Sequence, residues 1–176
     1  MFEKLKLWLA YLIIKKKYWK SSNHLVNFNG KISQSIDFLF IMPGNEHDFR
    51  NSLELVRYFL IHNKNITLIL PEHRVNLIQE KEKYKFITYN MLDFSKLKLP
   101  VKTLIDKIRK QDYDVTIDLN YRENPFYIAL TLLSKAGIKV GFSNEKTDLY
   151  LGLQFFHSST NVEAVYRNFL NFLRMF

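Results

Sequence analysis

Four short apolar runs, separated by stretches with helical spacing, constrain the fold of this chain more than any other feature. The runs are IDFLFIM at 36–42, ITLIL at 66–70, VTIDL at 115–119 and IKVGF at 138–142. Near-continuous apolar runs of this length are typical of strands buried on both faces of a parallel sheet. Because helical patterns lie between them, the order indicates right-handed βαβ crossovers. The sequence therefore predicts a single α/β, Rossmann-like domain with a mainly parallel sheet flanked by helices.

The segments between these runs carry the remaining predicted elements. We predict helices over 48–62, around 72–81, and over 102–110, 126–136 and 162–175, with a short strand at 86–89. Gly137 stands where a glycine is expected to end the 126–136 helix. The length of 176 residues suits one domain, and the hydrophobic content of 47% suffices for a core. The chain has no cysteine, which excludes disulfides, thiolate metal sites and a cysteine nucleophile.

The net charge of +9 is concentrated at the N-terminus. Residues 1–20 hold six lysines against one glutamate and therefore contribute +5 of it. Their apolar core, Leu7 to Ile14, is too short to cross a bilayer, which needs about 20 residues. It ends in three lysines rather than in a small-residue cleavage site, so it does not resemble a signal peptide. Aromatic rings and lysines in this arrangement favour an amphipathic helix at a membrane interface.

Two alternatives stay open for this segment, namely packing against the domain or a partner chain, and a mobile tail. The residues that we expect to contact a membrane or a partner are Trp8, Tyr11, Lys15, Lys16, Lys17 and Trp19. We predict a helix over 1–20, a polar linker over 21–34 and the α/β domain over 35–176. The expected location is cytoplasmic, peripheral at the inner face of the cytoplasmic membrane. Homodimers or a larger complex are further expected forms of assembly.

Ligands of parallel sheets bind at the carboxyl ends of the strands, where the connection order switches. The polar residues that lie at the end of the predicted strands or follow them, and that we take as ligand-binding candidates, are Asn45, His47, Asp118 and Arg122. The usual role of an aspartate such as Asp118 is to bond neighbouring loop amides. Arg122 suits phosphate, although an arginine in such a loop more commonly lies in solvent. Asp48 begins a helix, where Asp is a favoured N-cap. We expect His73 and Arg74 to be exposed.

Three segments together resemble glycosyltransferase family 9, the ADP-heptose:lipopolysaccharide heptosyltransferases. FIMPGNEHDFRNSLELVRYF is similar to the family's opening strand, loop, Asp and helix, with Asp48 and Arg57 at the matching positions. YDVTIDLNYRENPFYIALTLLSKAGIKVGF resembles a later strand–helix–strand, and HSSTNVEAVYRNFLNFLRMF the helix that closes the family's N-terminal domain. The resemblance covers about residues 35–176 and implies one half of a two-domain GT-B fold.

The resemblance also implies an activity. In the family the N-terminal half binds the acceptor, the other half binds the nucleotide-sugar, and the aspartate matching Asp48 is the general base of an inverting transfer. Here His47 replaces the family's usual glycine before that aspartate, and the sequence ends where the nucleotide-sugar domain would begin. We therefore expect a binding or assembly component that is not catalytic alone. The alternative is the acceptor-binding domain of an active hexosyl- or heptosyltransferase of lipopolysaccharide or cell-envelope glycan synthesis.

Several other classes of function are not indicated. The sequence shows no Gly-rich phosphate loop, paired-carboxylate motif, HExxH motif or nucleophile elbow. Neighbouring Glu46 and His47 do not by themselves give a metal ligand geometry, so we expect no metal and no cofactor. The aromatic residues are spaced as core residues and not as a base-stacking platform, so we expect no nucleic-acid partner.

Overall fold

A computed structural model of the chain describes residues 2–18, 28, 30–144 and 151–176. Its centre is a six-stranded sheet in the order β3-β2-β1-β4-β5-β6, in which all pairs are parallel. The strands are β1 (Asp37–Ile41), β2 (Asn65–Pro71), β3 (Tyr84–Tyr89), β4 (Tyr113–Asp118), β5 (Ala136–Phe142) and β6 (Leu153–Phe155). This confirms the predicted α/β, Rossmann-like fold.

Helices cover both faces of this sheet. They are α1 (Phe2–Ile13), α2 (Lys31–Gln34), α3 (Glu46–Ile61), α4 (Lys102–Ile108), α5 (Pro125–Leu133) and α6 (Val162–Leu173). A π-helical turn, Ile14–Tyr18, extends α1, and 3₁₀ turns lie at Glu72–Leu77, Lys81–Lys83 and Met91–Asp93. Because side chains alternate along a strand, β1 sends Phe38 and Phe40 to one face and Leu39 and Ile41 to the other. The first pair packs with α3 and α6, and the second with α4 and α5.

The first helix adds a third, smaller apolar cluster outside α5. Ala10 and Ile14 are buried there against Ile128 and Ala129 of α5, together with Leu99. The apolar side of the N-terminal segment therefore packs on the domain itself. Within the described residues, no helix is both long enough and apolar enough to cross a bilayer.

Two local predictions were wrong, and one strand was missed. The helix around 72–81 is instead two separate 3₁₀ turns, of which the second follows Glu80, a residue with φ 51°. The helix predicted over 126–136 ends at Leu133, and Gly137 lies inside β5 and not at a helix end. β6 was not predicted, because its three residues are all half-exposed and show no apolar run.

The predicted linker over 21–34 falls largely outside the described residues, which omit 19–27 and 29. Its last part is helical in the structure, since α2 occupies 31–34. The buried Ile32 of α2 joins the cluster between the sheet, α3 and α6. The end of this segment therefore belongs to the packed domain.

Candidate functional site: the switch point between β1 and β4

The order in which the chain connects the strands changes direction between the two central strands of the sheet. From β1 the connections run outwards to β2 and β3, and from β4 they run outwards to β5 and β6. Neighbouring loops separate at such a switch point and leave a crevice at the carboxyl edge of the sheet, where ligands bind in open α/β folds. Two loops border it here. They are residues 42–45 after β1 and residues 119–124 after β4, which we call the β4–α5 loop.

Asn45, and not Asp48, caps helix α3. The Asn45 side-chain oxygen accepts a hydrogen bond of 2.8 Å from the Asp48 backbone N–H, and its amide nitrogen donates to Asp48 Oδ2. Asp48 is thus the third residue of the helix, where its negative charge favours the helix N-terminus. The prediction of Asp48 as the N-cap residue was wrong by one turn. Asn45, a predicted ligand residue, uses both of its polar groups inside the protein.

The Asp48 carboxylate lies at the crevice but is almost enclosed, with 4% of the residue exposed. The Tyr121 hydroxyl donates to Oδ1 over 3.4 Å, and the exposed His47 ring has its Nδ1 3.9 Å from the same oxygen. Arg122 lies over the Tyr121 ring at 5.4 Å and donates to its hydroxyl over 3.2 Å. Asp48, His47 and Arg122, which the sequence singled out separately, therefore meet around Tyr121.

Asp118 ends β4 beneath this group and is buried. The backbone N–H and the side-chain amide of Asn120 donate to its Oδ1 at 3.0 and 2.7 Å, and Thr131 donates to Oδ2 at 3.2 Å. Burial raises the pKa of Asp118 to about 6, although these hydrogen bonds oppose the shift. The bond from the Asn120 amide is the loop-amide contact expected from the sequence. Asp118 therefore fixes the start of the β4–α5 loop through its hydrogen bonds to Asn120.

Three tyrosines support the crevice and were not singled out in the sequence. Tyr89 and Tyr127 place their hydroxyls 3.2 Å apart beside Gly44, where any Cβ would overlap the Tyr127 hydroxyl. Tyr166 of α6 donates 2.8 Å to the Leu119 carbonyl oxygen and is 2% exposed. All three tyrosines lie within apolar sequence patterns and therefore look like core residues. The one available signal is that a buried tyrosine hydroxyl requires a hydrogen-bond partner.

Arg74 is the one predicted surface residue of this region that the structure places differently. Its side chain is only 14% exposed and forms an ion pair of 2.5 Å with Glu46 in the first turn of α3. Glu46 also binds Arg50 at 2.7 Å. The two arginines lower the pKa of the Glu46 carboxyl, the Arg50 hydrogen bond being the larger cause. His73 is exposed, as expected.

The residues predicted to contact a membrane or partner lie on two sides of the N-terminal helix. Trp8 is 59% exposed, and Lys15, Lys16 and Lys17 are exposed as well. Tyr11 is half-buried and its hydroxyl donates to Glu123 of the β4–α5 loop. Trp19 lies outside the described residues. The inner side of the helix is therefore joined to the loop that borders the crevice.

A metal centre finds no support in the described part of the chain. No three His, Asp or Glu side chains among those residues come together closely enough to hold a metal ion. His47 and Glu46, the neighbours considered from the sequence, point to different partners, namely Asp48 and two arginines. The crevice can instead offer hydrogen-bonding and aromatic groups to a polar ligand.

A comparison with solved structures finds similarity to two proteins. A glycosyl transferase family 9 protein from Veillonella parvula DSM 2008 matches with a TM-score of 0.59 and 16% identity, over 80% of this chain and 42% of that one. CalG4, the calicheamicin glycosyltransferase, matches with a TM-score of 0.40 and 12% identity over the same shares. The chain thus spans less than half the length of either transferase. No curated protein matches it by sequence.

The fold is a Rossmann-like α/β domain similar to one part of a glycosyl transferase family 9 protein, which confirms the fold class expected from the sequence. At this low identity the similarity is one of fold alone. By sequence, the chain belongs to DUF6913, a family of unknown function whose profile matches residues 11–173.

The buried Asp118 carboxyl makes the stability of the protein depend on pH. Because its pKa is raised in the folded state, that state binds the proton more tightly than the unfolded chain. Its contribution to stability is thus full below about pH 4 and declines as the pH rises through 6, by about 2–3 kcal/mol in total. Asp118→Asn keeps the shape, and its amide can donate to Thr131. In urea unfolding, the free energy of unfolding of the variant should therefore increase relative to that of the natural chain as the pH rises from 4 to 7.

The control for this prediction is Asp106→Asn, which changes an exposed aspartate of α4. It should leave the pH dependence of the unfolding free energy unchanged. A pH profile of Asp118→Asn that runs parallel to that of the natural chain would refute the raised pKa.

Proposed function

We propose that this protein is a glycosyltransferase-like half-domain that acts as a binding or assembly component at a membrane surface and does not transfer sugar alone. Its crevice would recognise a glycan or glycolipid of the cell envelope, the acceptor class that the heptosyltransferase resemblance implies. The observation that carries the first part is the state of Asp48, the residue that matches the family's general base. It is 4% exposed, and both of its carboxylate oxygens accept hydrogen bonds.

A general base must come within hydrogen-bond reach of the hydroxyl that it deprotonates, at about 2.6–3.2 Å. The Tyr121 hydroxyl now occupies that approach to Asp48 Oδ1, and the Asn45 amide occupies Oδ2. Arg122 in turn holds the Tyr121 hydroxyl from the solvent side. An acceptor could reach the carboxylate only after Tyr121 moved. This arrangement fits a structural role of Asp48 in fixing the loop better than it fits a role as proton acceptor.

The alternative is that the chain is the acceptor-binding half of an active inverting transferase whose nucleotide-sugar domain is separate. One observation favours it. Asp48 follows β1 at the carboxyl edge of the sheet, beside the switch point where substrates of open α/β folds bind. A movement of Tyr121 would then expose the base when a donor domain closes on the crevice.

Asp48→Asn separates the two readings. The purified protein is incubated with ADP-heptose and other ADP- and UDP-sugars, and with vesicles carrying truncated lipopolysaccharide as acceptor. We expect no sugar transfer above background for the natural chain or the variant, because the carboxylate is enclosed. The unfolding free energy should fall by about 1 kcal/mol in the variant, since the amide replaces an acceptor oxygen of the Asn45–Tyr121 network.

The result that contradicts the proposal is transfer by the natural chain, alone or with a second polypeptide, that Asp48→Asn abolishes. Asp106→Asn, an exposed aspartate distant in sequence from the crevice loops, serves as the matched control and should transfer like the natural chain. That outcome would establish the alternative, with Asp48 as the general base.

The membrane part of the proposal rests on the outer face of α1, which we define by Leu5, Trp8 and Leu9. These side chains are 53%, 59% and 36% exposed, although the opposite side of the helix is buried against α5. Lys15, Lys16 and Lys17 follow at the end of the helix and are exposed. An apolar face with an aromatic ring and adjacent lysines matches the headgroup region of an anionic leaflet.

Flotation with vesicles of phosphatidylcholine and phosphatidylserine tests this face. Trp8→Ser should reduce the bound fraction about tenfold, equivalent to about 1.4 kcal/mol of lost apolar burial. Ile61→Ser removes a side chain that is 69% exposed at the end of α3 and should have no effect. Equal flotation of both variants would refute membrane contact through α1. Deleting the helix is a poorer test, since it would uncover the cluster around Ile14.

A further inference from the structure

The turn after β3 exposes two large apolar side chains, Met91 and Leu92, each at 86%. The turn is held in place by its own hydrogen bonds. The Asn90 side chain accepts from the Leu92 backbone N–H at 2.9 Å, and the Asp93 carboxylate accepts from the Asn90 backbone N–H at 2.9 Å. This reciprocal cap fixes the backbone of the turn and leaves both apolar side chains in solvent. Exposed apolar surface of this kind is unfavourable in water and often marks a contact site.

The chain that follows this turn connects it to the first helix. Residues 94–100 fold back on themselves, with a bridge between Phe94 and Pro100 and a 2.8 Å hydrogen bond from the Ser95 N–H to the Leu99 carbonyl oxygen. Leu97 and Leu99 pack in the cluster formed by the inner side of α1. The base of this hairpin thus carries the apolar turn, and its tip lies against α1.

The first turn of α1 and the hairpin tip also share a charged surface. The Lys98 ammonium is 3.7 Å from Glu3, and a groove of about 340 Å³ lies between the two segments. The lysines that line the groove are Lys4, Lys6, Lys96 and Lys98. Glu3 is already paired with Lys6 at 2.9 Å, and Asp93 is used in the cap of the turn. Glu123 lines the groove as well, so four lysines stand against two glutamates and the charged side chains of the groove sum to a net positive charge.

We infer that the Met91–Leu92 turn is a second membrane contact, which inserts into the interface of an anionic leaflet together with the outer face of α1. Two apolar elements separated by lysines fit acyl chains and anionic headgroups respectively. This inference rests on the proposed membrane role of α1 and deepens it. The turn follows the carboxyl end of β3, the edge of the sheet at which the crevice opens, and Asn90 is 3.4 Å from Glu72 after β2. Contact at both elements would set the crevice beside the lipid surface.

The absence of cysteine allows a site-specific test on the full chain. Leu92→Cys is labelled with an environment-sensitive fluorophore and mixed with vesicles of phosphatidylcholine, with or without phosphatidylserine. We expect the emission to rise at least about twofold and to shift to the blue with the anionic vesicles only. Leu5→Cys, on the outer face of α1, should respond in the same way. Ile61→Cys, which places the label at the end of α3, should show no change.

An unlabelled pair of variants tests the same point without a fluorophore. Met91→Ser combined with Leu92→Ser should lower flotation with anionic vesicles severalfold, because both side chains are exposed and their loss leaves the fold intact. Phe156→Ser, which removes a side chain 77% exposed after β6 at the far end of the sheet, is the matched control. It should float like the natural chain.

The outcomes separate this inference from the proposed function. Flotation and a response at position 5 without any response at position 92 would overturn the second contact and leave membrane binding by α1 intact. If the natural chain does not float with anionic vesicles, membrane contact by α1 and by the Met91–Leu92 turn are both refuted. A response at position 92 that depends on protein concentration without vesicles would assign the turn to contact between two copies. An equal response to neutral vesicles would overturn the role of the lysines.

Discussion

The β4–α5 loop is the element on which the remainder of this structure depends. Polar backbone groups at a buried strand end must find hydrogen-bond partners, and here one partner comes from α6 while the others come from the end of β4 and from the loop itself. Tyr166 of α6 holds the Leu119 carbonyl, Asp118 holds the Asn120 amide, and the Asn124 side chain accepts from the Phe126 N–H at the start of α5. The loop therefore has one defined path across the switch point.

Side chains of the same loop reach the two surfaces to which we assign a function. Tyr121 donates to Asp48 at the crevice, and Glu123 accepts from Tyr11 of α1. The N-terminal helix is thus bound to the segment that closes over Asp48, while its outer face, with Trp8, remains exposed. In the proposed function, the membrane-facing helix and the glycan-binding crevice both contact the β4–α5 loop. We therefore expect a displacement of α1 to change the crevice through this loop.

The sequence predicted the strands well and the loops poorly, for physical reasons. β1 and β4 coincide with near-continuous apolar runs, because strands that are buried on both faces require apolar side chains on both sides. β6 could not be found, because a half-exposed edge strand of three residues carries no such pattern. Asp48 and Asn45 were both singled out from the sequence, but their hydrogen bonds to each other and to Tyr121 could not be predicted, because Tyr121 comes from a second loop whose path depends on tertiary contacts. The tyrosines beneath the crevice were hidden among core aromatics for the same reason.

Amide hydrogen exchange of residues 119–124 in Tyr11→Phe tests the central claim most directly. The substitution removes one hydroxyl and keeps the ring that packs on α5, so α1 should stay docked. If α1 holds the loop over the crevice, exchange in 119–124 should quicken about five- to tenfold while β1 and β4 keep their protection. Unchanged exchange in the loop would contradict the account, because the helix and the crevice would then be independent.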